Sequence, residues 1–489
     1  MLNALNIDAM ALGNHELDMG NLPVAKFVEQ IEFPLLAGNW DLSKESQDKE
    51  LTLRDKPRVH SYVPDTQSAQ WIVKEVDGEP IAIFSLALDK MADISNPDLD
   101  TPFVNAIETA TRTVEQIRSQ GIINKIILLS HMGYDADLDM ASKVDGISVI
   151  VGGHSHRLQG DFSDLGLKKD DDYGIKINGT HVVQAGYHAL SMGHCDIDFN
   201  EQGEIVEFNG KNELLLGRRV FLDASMSETT NELPYHTARE FIDNHPNVLV
   251  CKKDKEVQTL LNERYVSRVR TLQRNVIAHA NKPLRHVRIP DEVGASELAP
   301  LVAESFVHSM KKLGHNAEFA IHNAGGVRNS LNVGNVSVAD IAGKLLPFAV
   351  PIGVYQLKGK DIAAALEGAI NNATNNGVVG TGDGSYPYTF NLNFEYAPEA
   401  PIGNRILGLE IFNSDVGWQK IDDEKYYVGT SSAYTMKGKE GYEAMLNMLG
   451  EGVVTTTSMA DCFIELLTDL PDTLNRPQQC VQTWWHKGC

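Results

Sequence analysis

The chain has 489 residues, 42% of them hydrophobic and 22% charged, and carries a formal charge of −23. At about 150 residues per domain this length suggests two or three domains. No block of Lys and Arg offsets the acidic balance, which excludes the footprint of a DNA- or RNA-binding protein but not small phosphate esters held at a local metal site.

Taken in chain order, Met1–Gly13 has no cationic start and carries Asp8 inside its apolar stretch, so it does not read as a signal peptide. It reads as the interior of a domain, an amphipathic helix end running into a buried strand, which predicts that a beginning is missing. Short apolar strands are predicted at Ile7–Leu12, Phe33–Ala37, Trp71–Val73, Ile81–Leu86, Ile126–Leu129, Ile147–Val151 and Val182–Val183. Asn105–Gly121 places Ile107, Ala110, Val114 and Ile117 at helical spacing. Strand, helix and strand at this pitch predict a layered α/β domain. The charged segment Lys253–Asn275 carries Val257, Leu260, Leu261, Tyr265 and Val269 on one face and reads either as a helix joining two domains or as a surface helix within one. A second α/β unit follows, with helices at Leu298–Met310, Val338–Leu345 and Gly359–Asn372 and strands at Phe319–Ile321, Gly353–Leu357 and Tyr388–Tyr396. Val378–Pro387 is a glycine-rich loop without a dinucleotide fingerprint. No apolar run reaches the ~18 residues of a transmembrane helix.

Three motifs each follow an apolar strand: GNHELD (Gly13–Asp18), SHMG (Ser130–Gly133) and GGHSH (Gly152–His156). In open α/β sheets functional groups gather beyond the carboxyl ends of strands, so these placements predict one convergent site. Asn14, His15, His131, His154 and His156 offer imidazole nitrogens and an amide oxygen, a donor set for zinc, manganese or a similar ion, with Asp18 one turn beyond His15. A single histidine after a strand is more often a hydrogen-bonded core or surface residue, and His154-Ser155-His156 can also be a polar turn; three matching placements weigh against coincidence.

These strings resemble, in order and spacing, the calcineurin-like metallophosphoesterase domain of the 5′-nucleotidase and UDP-sugar hydrolase family. The second half resembles that family's C-terminal substrate domain through HNAGGVR (His322–Arg328), LPF (Leu346–Phe348) and AYTMKGKEGY (Ala433–Tyr442). The wording around HNAGGVRNSL and GSYPYTF is most similar to bacterial NAD nucleotidases, which cleave NAD at its pyrophosphate and dephosphorylate the mononucleotides. The resemblance implies an α/β protein in three parts: an N-terminal metallophosphoesterase β-sandwich with flanking helices at 1–220, a linker region with an interdomain helix at 221–275, and a C-terminal α/β substrate-binding domain at 276–489.

Carried over by residue, the resemblance makes Asn14, His131 and His154 ligands of one metal of a two-metal centre (Zn, Mn, Co or Mg), with His156 against the other. His15 resembles the histidine that contacts the attacked phosphate, and Asp18 the carboxylate that orients it. The two ions would acidify a shared water into the attacking hydroxide and clamp the phosphate. The family's Asp-x-His motif and metal-bridging Gly-Asp motif belong upstream of Asn14, which only 13 residues precede. One metal site is therefore expected to be incomplete, and the chain to be either the product of a truncated gene model or a remnant with little activity.

In the second half, Arg328 resembles the phosphate-binding arginine and Asn323 the residue reaching the base, with Gly325 and Gly326 exposing backbone between them and Arg288 a second cation. Phe348 and Tyr434 resemble the aromatic pair that stacks on the nucleobase, and Glu440 stands where the family has a ribose-binding aspartate. Each has a plainer reading, a surface salt bridge for Arg328 and core packing for either aromatic. The expected substrates are AMP, NMN and NAD, with UDP-sugars as a further class, and a single active site is expected to form between the two domains, with Lys253–Asn275 as pivot. Two other readings stay open: a 2′,3′-cyclic nucleotide phosphodiesterase with 3′-nucleotidase activity, and a nucleotide-binding module without turnover. The resemblance implies a periplasmic or surface location. Of five cysteines, three fall in the last 28 residues, where either one disulfide or independent thiols fit.

Overall fold

A computed structural model describes residues 1–218, 233–476 and the strand Thr483–Trp484. The chain divides into two compact units, Met1–Leu261 and Asn262–Cys489. Both are mixed α/β.

In the first unit, the central strands Glu79–Ala87, Lys125–His131, Val149–Val151 and Thr180–Val183 run parallel, and Ile72–Val76 and Ile175–Ile177 pair antiparallel at the two edges. Their apolar residues, including Phe84, Leu86, Ile126, Leu128 and Ile150, are buried with Ala110, Val114 and Ile117 of the helix Ala106–Ser119. Asn105 caps that helix, its side chain accepting from the Glu108 N–H at 2.9 Å. The predicted strand Ile7–Leu12 shortens to Met10–Ala11, which pairs in parallel with Leu35–Leu36 in a separate three-stranded sheet completed by Val59–His60. A long hairpin, Ser191–Phe199 with Ile205–Gly217, had no predicted counterpart. Its first strand, SMGHCDIDF, is nowhere fully buried: Cys195, Ile197 and Phe199 are half-buried and alternate with exposed Asp196 and Asp198.

The segment Lys253–Asn275 is helical but not continuous. A π-helical turn, Asn262–Val266, separates the helices Lys255–Leu261 and Ser267–Arg274. Tyr265 and Val269 on its apolar face are exposed.

In the second unit, Phe319–Asn323 lies between Pro387–Phe390 and Tyr426–Ser432 in a five-stranded sheet. The single strand predicted over Tyr388–Tyr396 is corrected to two, Pro387–Phe390 and Leu392–Tyr396, in different sheets. The cause is Asn391, whose φ of 60° turns the chain out of the extended region. The predicted helix Val338–Leu345 is one α turn, Val338–Asp340, continued by π-helical Ile341–Leu345.

The helix Gly359–Thr374 approaches the loop before Tyr442 so closely that a Cβ on Gly368 would collide with the Gly441 carbonyl oxygen. Gly368→Ala is therefore expected to cost about 1–3 kcal/mol, the usual range for overpacking, as a lowered urea midpoint with unchanged slope.

Among the described residues no helix is long and apolar enough to cross a membrane. Cys195, Cys251 and Cys462 are free thiols, and Cys462 is fully buried. Cys480 and Cys489 lie outside the described residues.

Candidate active site

His131 is the last residue of the strand Lys125–His131, His154 follows Val149–Val151 by three residues, and Asn14 follows Met10–Ala11 by three. The three side chains converge. Asn14 Oδ1 lies 2.9 Å from His131 Nε2 and 3.2 Å from His154 Nδ1, and the two imidazole rings meet edge to face at 5.2 Å. Gly13 makes this possible, since a Cβ there would come within 2.9 Å of His131 Cε1.

Burial pushes the His131 imidazole down to about 3, with His154, His15 and His156 adding to the shift. Burial, then His15, also lowers His154. Both rings are therefore neutral near pH 7, with lone pairs to offer. Among the described residues no three His, Cys, Asp or Glu side chains are grouped to hold an ion by themselves. The triad needs the Asn14 amide as its third donor, and so suits one borderline divalent ion through neutral groups alone.

His15, next in the chain to Asn14, pairs with a carboxylate instead. It is half exposed, and its Nδ1 lies 2.8 Å from Asp18 Oδ2. Asp18 is fixed in turn by Ser95, whose hydroxyl donates to the Asn14 carbonyl at 2.6 Å and to Asp18 Oδ1 at 3.2 Å. Nothing in the sequence near Ser95 signals this link. His156 is exposed and stacks on Tyr187, ring centroids 5.0 Å apart. His154 and His156 both take left-handed backbone conformations, φ 66° and 58°.

In the second unit, Asn323 ends the strand Phe319–Asn323 and accepts from the Thr435 hydroxyl at 3.3 Å, which brings the turn carrying Tyr434 beside it. Gly325 packs against the backbone of Gly384 in the glycine-rich loop, where a Cβ would stand 3.2 Å from Gly384 Cα. Gly326 sits against the His322 ring. Arg328 donates to the Gly325 carbonyl at 3.2 Å and lies over the Phe348 ring, 5.4 Å from its centroid. Arg288 is paired with Asp383 of the glycine-rich loop at 2.7 Å, a partner the sequence reading did not foresee. Tyr434 and Glu440 are partly buried, and Glu440 has a left-handed backbone, φ 53°. Asn323, Gly325, Gly326, Arg328 and Phe348 thus lie in one cluster, joined to Tyr434 through Thr435 and to Arg288 through the loop.

Two more histidines pack against this cluster. Burial pushes His322 down to about 3, with His286 adding, and pushes His286 down to about 4, with Arg288 next in weight. An unfolded chain protonates both near 6.5. Between those limits the unfolded state binds more protons, so this contribution to stability is complete above about pH 6.5 and is lost as pH falls toward 4. Urea unfolding is expected to show an unfolding free energy that drops by about a few kcal/mol between pH 7 and pH 4.5, and His322→Phe should flatten that dependence.

Residues 276–447 match the model of the 5′-nucleotidase C-terminal domain. The chain is 29% identical to the NAD 5′-nucleotidase of Haemophilus influenzae, a match covering 96% of this chain and 78% of that protein. The crystal structure of a 5′-nucleotidase precursor from Thermus thermophilus superposes with a TM-score of 0.72 at 28% identity, over 96% of this chain and 82% of that one. Residues 276–447 carry the 5′-nucleotidase C-terminal domain, and the chain is similar to 5′-nucleotidases over nearly its whole length. It is thereby a hydrolase of the phosphoesterase type, a family whose chemistry implies divalent metals. It is also 28% identical to the trifunctional nucleotide phosphoesterase of Bacillus subtilis, covering 90% of this chain but only 28% of that longer relative.

Proposed function

We propose that the chain hydrolyses nucleotide phosphate esters and pyrophosphates in a metal-dependent reaction, as a 5′-nucleotidase that also cleaves NAD to its mononucleotides and dephosphorylates NMN. The observation that carries this reading is the convergence of Asn14 Oδ1, His131 Nε2 and His154 Nδ1 within 3.2 Å, beside the His15–Asp18 pair.

Asn14, His131 and His154 would hold one divalent ion, and His156 would face a second. Bound there, the ions would supply Lewis-acid polarisation of the phosphoryl group. Asp18, fixed by Ser95, orients the His15 ring through Nδ1, so that Nε2 is the nitrogen that donates to a phosphoryl oxygen and stabilises charge as it develops. In the second unit Arg328 offers a planar fork of donors to substrate phosphate. Phe348 and Tyr434 supply aromatic faces for the base, Asn323 a polar edge, and Glu440 an acceptor for ribose hydroxyls. Stacking tolerates different bases, which suits AMP, NMN and NAD together, and UDP-sugars as a further class. A periplasmic or cell-surface location fits such scavenging chemistry.

Asp18→Asn tests the His15 assignment. It is expected to lower kcat on AMP about 10²-fold, since catalytic donors of this kind are worth about 10²–10³, with KM little changed. Chromatographic product analysis on AMP, NAD, UDP-glucose and 2′,3′-cyclic AMP tests the substrate class. The expected products from NAD are AMP and NMN, followed by nucleosides and phosphate. Turnover confined to the cyclic substrate would instead establish a cyclic phosphodiesterase.

A further inference from the structure

Two non-glycine residues of one short loop, His154 and His156, hold left-handed backbone angles. Such a conformation persists where surrounding contacts over-determine it. One buried side chain supplies those contacts. Gln184, immediately after the strand Thr180–Val183, is 1% exposed. Its Nε2 donates to the Gly153 carbonyl at 3.1 Å, while its Oε1 accepts from the Ser155 hydroxyl at 3.2 Å and from the Arg157 N–H at 2.6 Å. These three partners alternate with His154 and His156 along the chain.

The backbone of Gln184 is itself held. Gln184 N–H donates to Gln159 Oε1 at 2.7 Å, and the Gln184 carbonyl accepts from Asn212 Nδ2 at 2.8 Å. A further tie of the loop runs to the neighbouring strand's histidine, because the Tyr134 N–H, three residues past His131, donates to Ser155 Oγ at 3.0 Å. The donor and acceptor ends of Gln184 are thus both used, and in opposite senses. A carboxylate in its place would keep the two acceptor contacts and lose the donation to Gly153. An isosteric apolar side chain would lose all three.

We propose that Gln184 is a positioning residue that sets the backbone of Gly153–Arg157 and thereby aims the His154 and His156 rings at their metals. This rests on the reading of those histidines as ligands.

The test uses the full chain and Co²⁺, whose visible absorption reports ligand number and geometry. Groups behind the ligands of a metal site are worth about 10- to 100-fold in affinity. Gln184→Met is expected to weaken Co²⁺ binding by that factor and change the absorption band, with adenosine binding unchanged. Gln184→Glu should lose less. Co²⁺ affinity within twofold of the parent and an unaltered band in Gln184→Met would overturn the proposal. If that variant does not fold, Gln184→Glu removes the donation to the Gly153 carbonyl alone: a weakened affinity with an altered band supports the role, and no change overturns it. Parent binding insensitive to both His154→Ala and His156→Ala would remove the ligand reading and this inference with it. Sensitivity to His154→Ala with indifference to Gln184→Met would remove the positioning role alone.

Discussion

His131→Ala is expected to lower kcat on AMP by about three orders of magnitude while leaving adenosine affinity within about twofold. His131 is the only one of the three converging donors delivered directly by a strand end, and its Nε2 lies 2.9 Å from Asn14 Oδ1. Removing it leaves two neutral donors, too few to keep an ion at neutral pH. The loss of Lewis-acid stabilisation of several kcal/mol corresponds to about 10³-fold or more in rate. Adenosine carries no phosphate, and the residues proposed to bind it, from Asn323 onward, belong to the second unit. Steady-state phosphate release, paired with calorimetric titration of adenosine, measures both halves. An equal loss of both would sink the proposed division of labour.

Arg328→Ala is expected to reduce kcat/KM on AMP by about 10- to 100-fold. Hydrogen bonds to charged groups contribute about 1.5–3 kcal/mol each, which spans that range. The guanidinium is also held in place, by the Gly325 carbonyl at 3.2 Å and by the Phe348 ring beneath it, so its removal loosens a proposed stacking face as well as an anion contact. Arg328→Lys is expected to recover little. An ammonium at that position keeps the charge but neither the planar fork nor the flat face that lies over Phe348. The comparison of adenosine with AMP separates the two roles: adenosine binding should fall only a few-fold in Arg328→Ala, the remainder being specific to phosphate.

The strand-end placement of the chemistry was legible because central parallel strands read as short continuous apolar runs, as in IILL of Ile126–Leu129, where Ile126 and Leu128 are buried and Ile127 and Leu129 half-buried, and VIV of Val149–Val151, where Val149 and Ile150 are buried. A histidine two or three residues after such a run has few places to go other than the carboxyl edge of the sheet. What fixes the histidines was not legible. Ser95 acts on Asn14 across 81 residues of chain and Gln184 on Ser155 across 29, and neither sits in a motif. Arg288 read as a second cation for the substrate, and its pairing with Asp383, 95 residues away, had no signal in the sequence. The break at Asn391 was hidden for a different reason. Alternation continues through it, and only the left-handed backbone of that one residue sends its two flanks into separate sheets. Likewise, an i to i+4 apolar pattern cannot distinguish an α-helix from one carrying a π turn, so Asn262–Val266 was invisible in the heptad-like spacing of Val257, Leu261 and Tyr265.

The central claim, metal-dependent hydrolysis by Asn14, His131 and His154, is tested most directly by phosphate release from AMP with added Mn²⁺ and, in parallel, with EDTA. The account predicts release that saturates with Mn²⁺, stops with EDTA and is absent in His131→Ala. Adenosine binding with no phosphate release at any Mn²⁺ concentration would contradict it and leave a nucleotide-binding module in its place.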